Sequence, residues 1–258
     1  LIYFFKFNNS IDSVFGFPWY ATWIQTQFCQ GVVKRNTLAF FDCENCKGIG
    51  LLEEDKIDKF SNIFPDKRVM LLPDIVAKTV INNEYALACH IKSEARGRKI
   101  IGLLGRFNDG KGVLNFLRTG LLAGSEKLDD YFFILIGGGE FQDKKTLALL
   151  SQASESDNIL IYFRSINVDE NFNAVFNQCD IIYAAYTDFH YSSNTLSKAA
   201  LYNKPVIVSK GYLMQQRVEK YSIGIAVEQD SPQEVLQAIH NIIKKQDNNG
   251  SPFDFGFK

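Results

Sequence analysis

The sequence predicts an α/β protein, with a doubly wound, Rossmann-like parallel sheet preceded by a partial second α/β domain. From Lys99 onward, short apolar runs rich in branched residues alternate about six times with longer helical patterns. Runs that are apolar at consecutive positions are typical of strands buried on both faces of a parallel sheet. The predicted strands are Ile100–Leu104, Phe132–Ile136, Ile159–Phe163, Ile181–Ala185, Pro205–Val208 and Ile223–Val227.

The last helix has the plainest signal. Ser231 is predicted to cap it, Pro232 takes the first helical position, and Glu234 completes a capping box. Strand and helix in alternation indicate right-handed crossovers, so the carboxyl ends of the strands should share one edge, where ligands bind. The apolar face of this helix is formed by Val235, Leu236, Ile239, Ile242 and Ile243.

The first part of the chain has a less regular pattern. Leu1–Phe7 and Arg68–Leu72 are predicted to be strands, and Glu54–Ile63 is predicted to be a helix with a charged face. For Asn36–Asp42 the periodicity leaves helix and strand both open. Three strands at most are too few for a second complete Rossmann domain. The predicted organisation is a remnant domain (1–80), a connector (81–98), the Rossmann-like domain (99–246) and a tail (247–258).

Composition and charge argue against several classes of function. Of 258 residues, 46% are hydrophobic and 22% are charged, as in an ordinary globular protein. The formal net charge of −1 argues against general nucleic-acid binding, which requires an excess of Lys and Arg. No apolar run reaches the roughly 18–20 residues that span a bilayer. The first residues also lack the cationic start of a signal peptide.

The five cysteines indicate reduced thiols. An odd number in a chain of this size does not suggest a disulfide framework, and it favours a cytoplasmic protein. Cys43 and Cys46 form a C-x-x-C pair, but its spacing to Cys29 and to Cys89-His90 matches no common zinc pattern. The prediction is a pair of partly buried thiols and no metal, with a zinc or redox role as the alternative.

Two cations follow the first of the six strands. Gly105 and Arg106 end this strand, and Lys111 comes shortly afterwards, before a helix. Glycine lets the backbone approach a ligand closely, and a guanidinium with an ammonium at one strand end suits a diphosphate. The alternative interpretation is a turn with two solvated cations.

A triple glycine, Gly137–Gly139, follows the second of these strands. It permits close approach of either a ligand or a helix, so Gly138 is a candidate for ligand contact. The spacing is not G-x-G-x-x-G, and the dinucleotide fingerprint is therefore absent.

The start of the helix after the fourth strand carries three small polar residues, Ser192, Ser193 and Asn194. Free amides and the positive end of the helix dipole favour an anion at such a position. Capping of the helix by Ser193 or Asn194 alone is the alternative. Asp188 and His190 in the preceding loop favour a functional role, whereas the other two histidines are predicted to be structural.

Taken in order, these motifs resemble the donor-binding domain of family 4 (group 1) glycosyltransferases, which have the GT-B fold. The resemblance covers about residues 98–246. Upstream, Leu71–Asp74 is similar to the point where the chain leaves the acceptor-side domain. The segments that carry the resemblance are Ile101–Arg106, Lys111-Gly112, Ile136–Gly139, Gln178–Tyr183 and Ala199–Ile207.

The resemblance implies that the chain binds a nucleoside-diphosphate sugar and that residues 1–80 are a remnant of the acceptor-side domain. Transfer would depend on positioning the donor and on stabilising the departing diphosphate, with no metal or other cofactor. The predicted catalytic residues are Arg106, Lys111 and His190, the first two on the diphosphate. The predicted nucleotide-binding residues are Gly105, Gly138, Arg164, Ile166, Ser192, Ser193, Asn194 and Lys198, of which Arg164 and Ile166 would flank the base.

One departure from the family pattern concerns two glutamates that are usually eight positions apart. One of them lies near the donor sugar and the other binds the ribose, and here their places are taken by His190 and Lys198. A lysine cannot accept hydrogen bonds from ribose hydroxyls as a carboxylate does.

The leading hypothesis is a glycosyltransferase with a nucleotide-sugar donor and an unknown acceptor, which would be a glycan, a lipid or a small molecule. One alternative is a sugar-nucleotide epimerase of the same fold, and another is a non-catalytic binding or scaffold relative. Membrane association is common among enzymes that act on lipid-linked acceptors, but no basic amphipathic helix in this sequence supports it.

Overall fold

The computed structural model describes residue 12 and residues 16–23, 35–72, 74–77 and 79–249. The chain divides into two compact units, Leu1–Ile75 and Val76–Lys258. The strand predicted at Leu1–Phe7 lies outside the described residues, as does the tail from residue 250 onward.

The smaller unit contains a three-stranded parallel sheet in the order β1-β2-β3. The predicted strand at Arg68–Leu72 and the predicted helix at Glu54–Ile63 are confirmed, although the first turn of that helix is of the 3-10 type. Asn36–Asp42, for which the sequence allowed either a helix or a strand, lies in a 3-10 helical segment. The elements are β1 (Trp19–Trp23), a 3-10 segment (Arg35–Asp42), β2 (Cys46–Leu51), a 3-10 turn (Glu54–Lys56), α1 (Ile57–Ile63) and β3 (Arg68–Leu71).

Sequence reasoning missed β1 and β2. Two glycines interrupt the apolar pattern of β2, and glycine lowers the strand propensity of a segment. One of them, Gly48, is required by packing, since a Cβ there would lie 2.7 Å from the Arg68 carbonyl oxygen and 2.8 Å from the Tyr20 ring. The close approach of the two neighbouring strands explains the glycine, and it is not visible in the sequence.

The core of the smaller unit is aromatic, with Trp23, Phe41, Phe60 and Phe64 packed on one another at centroid distances of 5.4–6.3 Å. Cys43 and Cys46 are buried in this core as free thiols, and burial raises the pKa of Cys46 to about 11. The predicted pair of buried thiols is confirmed. In the part of the chain that the structure describes, no group of three His, Cys, Asp or Glu side chains is placed to hold a metal ion.

The larger unit is built on a six-stranded parallel sheet in the order β6-β5-β4-β7-β8-β9. All six predicted strands are present, with bounds that differ by one residue at most from the prediction, and the predicted fold class is confirmed. Four of the six residues of the central strand β4 and all six of its neighbour β5 are buried, as expected for strands covered on both faces. The strands are β4 (Lys99–Leu104), β5 (Tyr131–Ile136), β6 (Ile159–Tyr162), β7 (Ile181–Ala184), β8 (Val206–Ser209) and β9 (Gly224–Val227).

Helices cover both faces of this sheet, as right-handed crossovers require. These helices are α2 (Ala86–Ala95), α3 (Val113–Ser125), α4 (Lys144–Ala153), α5 (Asp169–Gln178), α6 (Asn194–Leu201), α7 (Leu213–Tyr221) and α8 (Pro232–Asn249). Helix α3 packs on α4 and on α8, and α2 packs on α5.

The segment predicted to be a connector, residues 81–98, contains helix α2. Ala88, Ile91 and Ala95 on one face of α2 are buried in the core of the larger unit. The segment is therefore structural rather than a simple linker. Sequence reasoning missed the helix because its apolar positions are mostly small alanines, which give a weak periodic signal.

The predicted capping box of the last helix forms only in part. The Ser231 hydroxyl oxygen accepts a hydrogen bond from the Glu234 amide at 3.3 Å, as a cap should. The Glu234 carboxylate, however, binds the Lys210 ammonium at 2.9 Å and the Glu228 amide at 3.1 Å, instead of the Ser231 amide. An ion pair with a neighbouring loop has replaced the reciprocal half of the box.

The loop between β4 and α3 is fixed against the end of β7 by a glycine. Gly112 has φ of +69°, and a Cβ added there would lie 2.1 Å from the Ala185 carbonyl oxygen. Only glycine combines this left-handed conformation with so close a backbone contact.

We predict that Gly112→Ala lowers the free energy of unfolding by about 3 kcal/mol or more, because the methyl group adds a steric clash to the strained backbone. Gly97→Ala is the matched control, since Gly97 has φ of +83° with no atom near the added Cβ. It should cost only about 1 kcal/mol, the strain alone. Urea unfolding measures both values, and equal losses would contradict the contact with Ala185.

The ion pair of Glu234 gives a second prediction. Hydrogen bonds from Lys210 and from the Glu228 amide lower the pKa of Glu234 below its ordinary value of 4.5. A carboxyl whose pKa is lowered by folding stabilises the native state above its unfolded pKa, and this contribution is lost as the pH falls through the folded pKa. The urea midpoint of the wild type should exceed that of Glu234→Gln at pH 7, and the difference should shrink below pH 4.5.

The control for this measurement is Glu155→Gln, at an exposed glutamate after α4. Its urea midpoint should follow that of the wild type at every pH. A difference for Glu234→Gln that stays constant down to pH 3 would show that the carboxylate charge is not involved.

Candidate functional site

The strand order of the larger sheet reverses between β4 and β7. From β4 the chain proceeds through β5 to β6, and from β7 it proceeds through β8 to β9. At such a reversal the chain leaves the two central strands in opposite directions, and ligands bind in the crevice outside the carboxyl ends of these strands. The loop after β4 (residues 105–112) and the loop after β7 (residues 185–193) therefore define the candidate site.

The two loops are in direct contact. The Thr187 amide donates a hydrogen bond to the Gly110 carbonyl oxygen at 2.9 Å. Asn108 and Asp109 fix the rest of the first loop. The Asn108 side chain accepts from the Gly110 amide, and the Asp109 carboxylate accepts weakly from the Gln142 amide at 3.3 Å. This loop is held by its own capping bonds and by both neighbours.

The Lys111 side chain reaches from the loop after β4 to the loop after β7. Its Nζ is 3.9 Å from the centroid of the Tyr186 ring and 5.5 Å from that of Phe189. The Tyr186 hydroxyl is 3.1 Å from Thr195 Oγ1 in the first turn of α6. One aromatic side chain therefore connects the Lys111 ammonium to the start of α6, and among the described residues no carboxylate lies within 4.0 Å of Lys111 Nζ.

Arg106 is exposed at the end of β4, on the same loop as Lys111. The preceding residue, Gly105, has φ of +120°, and a Cβ there would meet no atom within 4 Å. The backbone at Gly105 therefore faces open space next to an exposed guanidinium, which forms no ion pair with any residue that the structure describes.

Each of the three glycines after β5 is explained by a neighbouring loop. A Cβ on Gly137 would lie 1.7 Å from the Gly105 carbonyl oxygen, and one on Gly139 would lie 2.2 Å from that of Phe107. The same addition at Gly138 would lie 2.3 Å from Ser165 Oγ. The triple glycine thus permits close packing between loops, a reason that sequence reasoning did not consider for Gly138.

Arg164 and Ile166 follow β6, on the outer side of the crevice. Arg164 is exposed, whereas Ile166 packs against the core of the unit. An aromatic cluster that sequence reasoning missed lies beside them. In it Phe163 is 43% exposed, and its ring centroid is 6.2 Å from that of Phe107 and 5.6 Å from that of Phe141.

The start of α6 has the predicted serine cap. Ser193 is buried, and its hydroxyl oxygen accepts a hydrogen bond from the Thr195 amide at 3.3 Å. Asn194 is exposed as the first helical residue, and the Ser192 hydroxyl oxygen accepts a hydrogen bond from the guanidinium of Arg217 on α7. Arg217 brings a further cation to this end of the helix, and no pattern in the sequence pointed to it.

His190 is exposed and packs edge-on against the ring of Tyr212, with 4.4 Å between the ring centroids. Tyr212 also binds Asp188, as its hydroxyl donates to Asp188 Oδ1 at 2.9 Å. Donation from Gln229 lowers the pKa of this phenol, but acceptance by Asp188 and burial outweigh it, so the pKa of Tyr212 is raised and the hydroxyl stays protonated at neutral pH.

Lys198 is not directed at the loop after β7. Its ammonium donates to Asn173 Oδ1 on α5 at 2.8 Å and lies 4.5 Å from the centroid of the Phe172 ring. Asn173 is fully buried and donates in turn to Thr79, and burial lowers the pKa of Lys198. The structure thus brings Lys111, Ser193 and His190 to one edge and connects Lys198 to a neighbouring helix.

This strand order, with cations and a helix start meeting where the order reverses, defines a Rossmann-like α/β domain of the type found in GT-B glycosyltransferases. Residues 98–245, more than half of the chain, match the family model of the glycosyl transferases group 1. The chain belongs to this family, and the resemblance seen in the sequence is confirmed. A search of curated proteins gives no match.

Solved structures share the fold. The C-terminal domain of a glycosyl transferase group 1 family protein (LpcC) from Francisella tularensis aligns with a TM-score of 0.51 at 19% identity, over 69% of this chain and 91% of that one. The Anabaena protein HepE, in complex with UDP, aligns with a TM-score of 0.71 at 13% identity, over 95% of this chain and 67% of that one. At such identities the likeness shows the fold alone.

Other relatives are considerably longer than this chain. Sucrose-phosphate synthase from Thermosynechococcus elongatus aligns with a TM-score of 0.63 at 15% identity, over 96% of this chain and 64% of that one. The chain spans 55% of an α,α-trehalose-phosphate synthase from Burkholderia xenovorans. In the described part of the chain, no helix has the length and apolar character needed to cross a bilayer.

Proposed function

We propose that this chain binds a nucleoside-diphosphate sugar in the crevice between the loops after β4 and β7 and contributes the donor side of a glycosyltransferase. The observation that carries the proposal is the position of Lys111. Its ammonium has no carboxylate partner among the described residues, and the Tyr186 ring holds it next to the start of α6. A mobile surface lysine would be solvated, whereas this one is fixed where the helix dipole also favours an anion.

The diphosphate of the donor fits this arrangement by its charge and its length. Two phosphates allow one to contact Lys111 and the α6 amides while the other reaches the exposed guanidinium of Arg106, which can bind phosphate oxygens in a bidentate manner. Both cations would stabilise the negative charge that develops on the diphosphate as the bond to the sugar breaks. No metal ion or other cofactor is required by this scheme.

In this proposal His190 contacts the sugar. It lies on the loop after β7, three residues before the α6 cap, and its imidazole is exposed. The base would lie beyond β6, between Arg164 and Ile166, where the exposed ring of Phe163 offers an apolar surface. UDP, which the HepE structure contains, is therefore the first ligand to test. The acceptor is a glycan, a lipid or a small molecule, and the proposed location is the cytoplasm.

Lys198 favours a second candidate, a relative that binds without transferring. The position that holds the ribose-binding glutamate of the family is occupied by an ammonium that already donates to the buried Asn173. This lysine offers no acceptor to a ribose. Such a relative would bind the diphosphate and release no free nucleoside diphosphate from any sugar donor, so a turnover assay with a panel of donors separates the two candidates.

The proposal predicts that the Kd for UDP rises about tenfold in Arg106→Ala and in Lys111→Ala, because each variant loses one charge-assisted contact. Isothermal titration calorimetry with UDP, GDP and ADP measures the change, which should be similar for the three bases since the lost contacts are to phosphate.

The matched control is Lys245→Ala. Lys245 is exposed near the end of α8, which begins at the carboxyl edge of the sheet and runs toward the opposite edge. This variant should bind like the wild type. Failure of all three diphosphates to bind the folded wild type, or unchanged affinity in both site variants, would overturn the proposal.

A further inference from the structure

Three hydrogen bonds form a closed ring beside the crevice, and this ring joins the loops that follow β7, β8 and β9. The Asp188 amide donates to Gln229 Oε1 at 2.9 Å, and Gln229 Nε2 donates to the Tyr212 hydroxyl at 3.0 Å. The Tyr212 hydroxyl donates to Asp188 Oδ1 at 2.9 Å and so completes the ring. Every member both donates and accepts, so the loss of one side chain opens the whole ring.

The ring acts on a strained residue. Asp188 has φ of +48°, in the left-handed region, which is unfavourable for a residue other than glycine. Asp188 engages the ring through both its amide and its carboxylate, so the bonds favour this conformation over an extended one. Asp188 lies in the turn that precedes residues 189–193, which lead into α6.

Tyr212 contacts the same loop at a second point, because its phenol side chain packs against the imidazole of His190. The beginning of the loop is fixed independently, since Ser209 Oγ donates to the Tyr186 carbonyl oxygen at 2.5 Å. Loss of the hydrogen-bonded ring would therefore loosen the loop at its Asp188 end, while Tyr186 and Lys111 keep their places and Ser192 stays bonded to Arg217.

We propose that Tyr212 and Gln229 are positioning residues, which hold the loop from Asp188 to Ser193 in the form that receives the diphosphate and the sugar. This inference rests on the proposed function. The Tyr212 hydroxyl already donates its hydrogen to Asp188, and the side-chain oxygen and nitrogen of Gln229 both form hydrogen bonds within the ring. The two side chains thus act through His190 and the start of α6 rather than by contact with the ligand.

By holding this loop, the hydrogen-bonded ring sets the fraction of molecules in which the loop has its binding conformation. The apparent Kd equals the intrinsic Kd divided by this fraction. If the ring opens, Asp188 can leave the left-handed region, and the fraction falls. The effect should be the same for every nucleoside diphosphate, because the loop lies at the diphosphate end of the crevice and not at the base.

The experiment uses two variants. Tyr212→Phe keeps the aromatic side chain packed on His190 and removes only the hydroxyl, and Gln229→Met keeps the side-chain length. Tyr131→Phe is the control, since Tyr131 begins β5 at the opposite edge of the sheet. Each variant is titrated with UDP, GDP and ADP, its thermal midpoint is recorded, and hydrogen exchange of the Asp188 amide is followed without ligand.

In Tyr212→Phe and in Gln229→Met we expect the Kd for all three ligands to rise about fivefold, which corresponds to the free energy of about one hydrogen bond. The Asp188 amide should exchange at least about tenfold faster in Gln229→Met, which removes its acceptor. Thermal midpoints should stay near that of the wild type, and Tyr131→Phe should bind normally. The double variant should be no weaker than the weaker single variant, because the first change already opens the ring.

Three other outcomes contradict the inference, each in a different way. If the wild type binds UDP and both ring variants bind it equally well, the ring does not position the loop, and the proposed function is unaffected. If the wild type binds none of the three ligands, the proposed function fails and the inference fails with it. Strictly additive losses in the double variant would show that Tyr212 and Gln229 do not act as one unit.

Discussion

The contact between the Lys111 ammonium and the Tyr186 ring joins the two sides of the crevice. Lys111 belongs to the loop after β4, and Tyr186 belongs to the loop after β7 and reaches the first turn of α6. Gly112 makes the contact sterically feasible, because any larger residue would collide with the Ala185 carbonyl group. The glycine in its left-handed conformation therefore lets the Lys111 ammonium, the Tyr186 ring and the start of α6 come close together.

The loops around this contact are held in place by packing and hydrogen bonds with their neighbouring loops. Gly137 and Gly139 let the loop after β5 lie against the loop after β4, while Tyr212 and Gln229 hold the loop after β7 from the opposite side. Strain is present at Asp188, as is common where a fold fixes a functional loop. The family glycosyl transferases group 1, to which the chain belongs, accounts for the sheet and its helices. Around His190 and Lys198 the structure shows two different settings, since His190 packs on Tyr212 at the crevice and Lys198 donates to the buried Asn173.

The sequence predicts the larger sheet well because consecutive apolar residues in β4, β5 and β7 have no other plausible location than between two layers of helices. The sequence also pointed to Arg106 and Lys111 as candidates, since both lie in the short loop after the buried strand β4. Sequence did not predict α2, whose buried face is mostly alanine, or β2, where glycines hide the strand. Nor could it identify Tyr212, Gln229 and Arg217, because their contacts with the loop after β7 join residues that lie 24 to 41 positions apart in the chain.

A crystal structure of the protein with UDP is the most direct test of the central claim. The claim predicts a diphosphate oxygen about 3 Å from Lys111 Nζ and another facing the first amides of α6, with the Tyr186 ring still in contact with the lysine. A diphosphate bound away from both Lys111 and the start of α6, or a lysine displaced from Tyr186 and facing solvent, would contradict it.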